Sequence, residues 1–132
     1  MKKYIVVFAI SAFIMPSLLY STNALVQVQS IEEFDNIIKK SLQPVVAQFH
    51  SGCPICNATR EHVKEVMLHY SDVRFLEIDI NKVPNLTERY SITALPTVLI
   101  FEPSCTQPAY IITGPTRDDL DSKIKKVLLK KK

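Results

Sequence analysis

The stretch Pro44-Val45-Val46-Ala47-Gln48-Phe49-His50-Ser51-Gly52-Cys53-Pro54-Ile55-Cys56 decides how this chain folds. Val45 to Phe49 is an apolar run rich in β-branched residues, the composition of a buried strand. His50-Ser51-Gly52 reads as a loop. A helix then starts at Cys53-Pro54, because proline suits a first helical turn, where its missing N–H would be unpaired anyway. Unpaired N–H groups and the positive end of the dipole favour a Cys53 thiolate over the thiol, drawing its pKa from ~8.5 toward neutrality. Cys56, one turn on, comes within disulfide reach. Cys53 is expected to be exposed and to attack a substrate disulfide, with Cys56 deeper in the helix resolving the mixed disulfide.

Outward from that stretch, strands and helices alternate. Val26 to Gln29 alternates apolar and polar, as a short strand does. Ser30-Ile31-Glu32-Glu33 is a capping box, and Ile31, Phe34 and Ile38 carry the helix to about Lys40. Beyond the cysteines, Val63, Val66, Met67 and Tyr70 form an apolar stripe at helical spacing. Arg74 to Ile80 reads as a strand, Pro84 to Tyr90 as a short helix and Thr97 to Phe101 as the most strand-like run in the chain. Ala109 to Thr113 adds a strand antiparallel to it. Thr116 opens a closing helix whose buried face is Leu120, Ile124, Val127 and Leu128. The order β-α-β-α-β-α-β-β-α implies an α/β fold, with a central mixed sheet flanked by helices on both faces.

The chain has 132 residues and a formal net charge of +3. Met1-Lys2-Lys3 precedes an apolar run from Tyr4 to Leu19, and Thr22-Asn23-Ala24 supplies small residues for a peptidase. This reads as a secretory signal peptide cleaved after Ala24. The alternative, an uncleaved anchor, needs ~20 apolar residues, and this run is shorter, with Pro16 near its end. Removing 24 of 132 residues leaves 108, enough for one domain over residues 25–132, and lowers the charge to +1. The expected location is outside the cytoplasm, periplasmic or secreted. Lys123, Lys125, Lys126 and Lys130 to Lys132 crowd the last helix end, where cations complement the dipole. No aromatic residues interleave them, so a solvated helix end is preferred to a nucleic-acid surface.

The 25–132 stretch resembles the thioredoxin family, with several motifs in register. Gln43 to Phe49 looks like the strand that delivers the active site, Cys53-Pro54-Ile55-Cys56 like the redox motif, and Tyr90-Ser91-Ile92-Thr93-Ala94-Leu95-Pro96-Thr97 like the segment carrying the family's cis-proline. Gly52 precedes the motif and Gly114 follows the last strand. The resemblance implies a thioredoxin-like fold and a thiol–disulfide oxidoreductase using Cys53 and Cys56. It also implies a cis Leu95–Pro96 bond, with Pro96 packed against the disulfide and the Leu95 backbone open to a substrate strand. Thiol- or disulfide-bearing client proteins, a membrane-bound electron donor and a monomeric state complete the picture.

This sequence also departs from the family. There is no tryptophan, and the proline directly after the first cysteine is similar to glutaredoxins and periplasmic oxidases. Ala47 stands where the family buries an aspartate beneath the second cysteine, Glu77 where it has a lysine, and Glu61 where it has a helix-kinking proline. His50, Pro54, Ile55 and Glu77 are therefore candidate modulators of the pair. A protonated His50 would favour the Cys53 thiolate; otherwise it is a solvent-facing loop residue. Glu77, placed by the family's register under the redox helix near the missing aspartate, could accept the Cys56 proton, or simply reach water.

Other chemistries fit less well. Cys53, Cys56, His62 and His69 could supply four zinc ligands, but the two histidines lie about 10 Å apart along one helix, so no metal is expected and no cofactor is implied. A non-catalytic binding module with a structural Cys53–Cys56 disulfide is the second alternative. So short a loop removes little unfolded-state entropy, which makes that role inefficient. Cys105 leaves an odd count and is read as an unpaired surface thiol, with intermolecular pairing as the alternative.

Overall fold

The computed structural model describes residues 23–130, so the signal-peptide reading falls outside the described residues except at Asn23 and Ala24. Five strands and four helices follow in the expected order: β1 Val26–Val28, α1 Ile31–Lys40, β2 Val45–His50, α2 Pro54–Met67, β3 Arg74–Asp79, α3 Pro84–Arg89, β4 Thr97–Phe101, β5 Tyr110–Thr113 and α4 Arg117–Lys130. The sheet order is β1-β3-β2-β4-β5. β1 and β2 both run parallel to β3, while β4 runs antiparallel to β2 and to β5.

Side chains alternate across this sheet, and that alternation sorts the residues into two cores. Val45, Ala47, Phe49, Leu76, Ile78, Leu99 and Phe101 face α1 and α3, where they meet Phe34, Ile38 and Leu86. Phe34, Tyr90 and Phe101 pack edge to face with ring centroids 5.7 to 6.0 Å apart, the arrangement the ring quadrupoles prefer. Val46, Phe75, Val98 and Ile100 face the other way, onto Val63 and Val66 of α2 and Leu120, Ile124 and Val127 of α4.

Helix starts follow local chemistry. Ser30 Oγ accepts the Glu33 N–H at 3.1 Å, and the Glu33 carboxylate reaches back to the Gln29 N–H at 2.7 Å, one residue earlier than a standard capping box. Thr116 and Asp119 make the same exchange at α4: Thr116 Oγ1 accepts the Asp119 N–H at 3.2 Å, and Asp119 accepts from the Thr116 N–H at 3.0 Å. The Thr116 N–H and, at 2.7 Å, the Thr116 hydroxyl both donate to the Asp119 carboxylate and hold it below the usual range. Two boundaries differ from expectation. His50 is the last residue of β2 and buried, not a loop residue, because it pairs with Asp79 of β3. Tyr70 lies past the end of α2, yet its ring is buried and its hydroxyl donates to Asp121 at 2.5 Å, tying the end of α2 to α4.

Candidate active site

β2 delivers the chain to the edge of its sheet face, and Gly52 turns it into α2. Gly52 has φ +77°, in the left-handed region that glycine enters without steric cost. Cys53 is the N-cap of α2, half-buried, and its Sγ accepts the Cys56 N–H at 3.0 Å. Pro54 fills the first helical position. Cys56, one turn in, is fully buried. The two sulfurs are joined as a disulfide, with Cα atoms 5.0 Å apart. Of the two residues, Cys53 is therefore the one open to the surface. Ile55, between them, is exposed.

The Leu95–Pro96 peptide is cis. Pro96 is buried and Leu95 half-buried. Thr97, at the start of β4, pairs with Phe49 near the end of β2. The cis-proline segment and the cysteine loop thus leave the same end of the sheet. Pro96 is anchored there by its carbonyl, which accepts the Gly114 N–H at 2.8 Å.

Under α2 the sheet face turns polar. His50 Nδ1 accepts the Gly52 N–H at 3.1 Å, so a neutral imidazole carries its hydrogen on Nε2, which faces Glu77 Oε1 at 3.1 Å. The same carboxylate oxygen accepts Arg60 Nε at 2.6 Å and a second guanidinium nitrogen. Arg60 also donates to Asn57. Glu77 is 3 % exposed, and its charge is compensated inside the fold by a forked guanidinium. The network joins the end of β2, the middle of β3 and the second turn of α2. Beside it, a cleft of about 130 Å³ is lined by Gln27, Gln29, His50, Glu77, Asp79 and Lys82. A larger concavity, about 480 Å³, lies instead between the end of α2 and α4, lined by Val66, His69, Tyr70, Arg117, Asp121 and Lys125.

Three expectations change. Glu77 does lie under α2, but its partners among the described residues are Arg60 and His50, and it makes no hydrogen bond to Cys56. Ala47 faces the opposite side of the sheet, in the α1/α3 core, so Glu77 does not fill the place of the missing aspartate. His50 is not solvent-facing; a proton on Nδ1 would break its bond to the Gly52 N–H. Sequence reading also missed two residues. Gln48 is fully buried and its Nε2 donates to the Cys56 carbonyl at 3.0 Å. Arg60, the partner of Glu77, sits four positions after Cys56. Gln48 did carry a signal: with His50 it makes two polar residues at strand spacing inside an otherwise apolar run.

Cys105 is an exposed free thiol in the turn after β4, at the other end of that strand from Pro96. Glu61 is exposed and paired with Lys64 at 3.1 Å.

A family model described as Thioredoxin matches residues 25–126. Thioredoxin Asp f 28 of Aspergillus fumigatus is 32 % identical over 95 residues, covering 69 % of this chain and 87 % of that protein. Mitochondrial thioredoxin-3 of Saccharomyces cerevisiae is 26 % identical over 80 residues, which span 61 % of this chain and 63 % of the yeast protein. The crystal structure of that yeast protein in its oxidised form superposes with a TM-score of 0.69 at 26 % identity, over 80 % of this chain and 98 % of the solved one.

Proposed function

This chain belongs to the thioredoxin family of thiol–disulfide oxidoreductases, and from that premise we propose that it exchanges disulfides with exported client proteins. The observation that carries the reading is the contrast between a half-buried Cys53 at the cap of α2 and a fully buried Cys56 one turn inside it. With the pair reduced, the Cys53 thiolate forms a bond to one client sulfur, and the other client sulfur leaves with the electron pair and takes up a proton. The Cys56 sulfur, deprotonated, then attacks Cys53 Sγ and releases the second client sulfur. Two electrons pass to the client and the pair becomes the disulfide seen here. Running the steps backward oxidises a dithiol.

Leu95 and exposed Ile55 are the proposed client-facing residues, with buried Pro96 setting the course of the Leu95 backbone, because the start of β4 and the Cys53 loop lie at the same end of the sheet. Export is supported by the basic start, apolar run and small residues at positions 1–24. Outside the cytoplasm the reduced pair needs an electron source, which a membrane-bound partner would supply to this monomeric protein. Dithiothreitol-driven reduction of insulin tests the chemistry: the protein should accelerate it and Cys53→Ser should abolish the acceleration. Equal rates with and without the protein would favour a non-catalytic module. Mass spectrometry of the exported protein tests the processing, and a product starting at Leu25 is expected.

A further inference from the structure

Gln48 is a fully buried side chain whose amide oxygen goes unused. Its Nε2 donates to the Cys56 carbonyl at 3.0 Å, while its Oε1, also buried, has no partner among the described residues. The orientation of the amide is forced: exchanging oxygen and nitrogen would set two carbonyl oxygens 3.0 Å apart. Across the sheet Gln48 faces Val98 on β4, which offers no side-chain donor, and Glu77 on β3, an acceptor already engaged by Arg60 and His50. A buried carbonyl oxygen without a donor is unfavourable, so a sequence that keeps one under the redox helix calls for another state in which it is used.

Reduction creates such a donor. When a dithiol reduces the pair, two electrons and two protons pass to it, the S–S bond breaks and the reductant leaves as its own disulfide. Cys56 then carries an S–H group in a place that excludes water. The amide is anchored on the Cys56 backbone through its nitrogen at 3.0 Å, and its free oxygen is bonded to the same carbon as that nitrogen, which keeps it in the neighbourhood of Cys56. We propose that Gln48 is a positioning residue that accepts the Cys56 S–H in the reduced protein, stabilising the dithiol relative to the disulfide. This rests on the redox role proposed above for Cys53 and Cys56. The acceptor is idle in one redox state and satisfied in the other, so its removal changes the balance between them.

The equilibrium with glutathione, read by trapping thiols in the full-length protein, tests this without any client protein. Insulin turnover, which tests the proposed function, does not enter it. Gln48→Leu should shift the equilibrium toward the disulfide by about tenfold, equivalent to ~30 mV. A merely structural residue would lower the stability of both redox forms and leave that ratio within about twofold of wild type. In parallel, the infrared S–H band of Cys56 in the reduced Cys105→Ser protein should lie at the lower frequency of a hydrogen-bonded thiol. An unshifted equilibrium, a shift toward the dithiol, or a Cys56 band at the frequency of a free thiol in hydrocarbon would each overturn the proposal.

Discussion

The two faces of the sheet are built from the same strands and differ in what they enclose. Toward α1 and α3, β2 contributes Val45, Ala47 and Phe49, which meet an aromatic trio with no charged residue among them. Toward α2 and α4 the same strand contributes Val46, then Gln48, then His50, so apolar packing gives way to hydrogen bonds as the chain nears Cys53. A one-residue alternation thus separates a face that holds the fold from a face that also holds the site. Substitutions on the first should read out in stability alone. Those on the second should couple stability to the thiol chemistry.

The widest gap between the faces is expected at Phe34. Its ring is fully buried between Tyr90 and Phe101, and Phe34→Ala should cost about 3–5 kcal/mol of unfolding free energy. The folded fraction should keep the wild-type rate of Cys53 alkylation, and urea titration with thiol kinetics on the same sample checks both. A changed alkylation rate would mean the two faces are coupled.

Arg60→Met comes next. It leaves the buried Glu77 carboxylate with His50 alone, and should cost about 2 kcal/mol. Adding Glu77→Gln should recover part of that loss, so the double variant is less destabilised than the sum of the singles, by on the order of 1 kcal/mol. Additive losses would show that the contact between α2 and β3 carries no stabilising free energy.

The smallest effect sharpens the α2/α4 side away from the chemistry. Burial first, and then the bond to Asp121, push the Tyr70 hydroxyl well above the ordinary tyrosine range. Its pKa is higher folded than unfolded, so the stabilisation is intact below about pH 10 and is lost as pH rises through the folded value. Tyr70→Phe should cost about 1 kcal/mol at neutral pH and reduce the decline of stability above pH ~10. A decline as steep as wild type would remove Tyr70 from the alkaline transition.

Where local chemistry decides, the sequence was sufficient. Pro54 after Cys53 marks a helix start because proline cannot donate there, and Ser30 and Thr116 mark two more because their side chains satisfy orphan N–H groups. The strand order within the sheet and the opposite facing of Ala47 and Gln48 needed the pairing of β2 with β3 and β4. His50 looks like a loop residue beside Ser51 and Gly52, and only its register with Asp79 places it in the strand. Arg60 reads as an ordinary exposed helix residue, because its partner Glu77 is 17 positions further on. Glu77 was placed on the right face, but a one-dimensional register could not reveal that Arg60 and His50 had already claimed it.

The division of labour between the cysteines is tested most directly by covalent capture of clients. Cys56→Ser leaves the accessible sulfur intact and removes the resolving one, so mixed disulfides through Cys53 should accumulate on a non-reducing gel and vanish on reduction. Cys53→Ser leaves only the sulfur enclosed by α2 and the sheet, and should capture few or none. Both variants should also carry Cys105→Ser, so that the exposed third thiol adds no background. Abundant capture by Cys56→Ser with little by Cys53→Ser is the predicted result. Equal capture by the two, or more by Cys53→Ser, would contradict the assignment of Cys53 as the attacking sulfur.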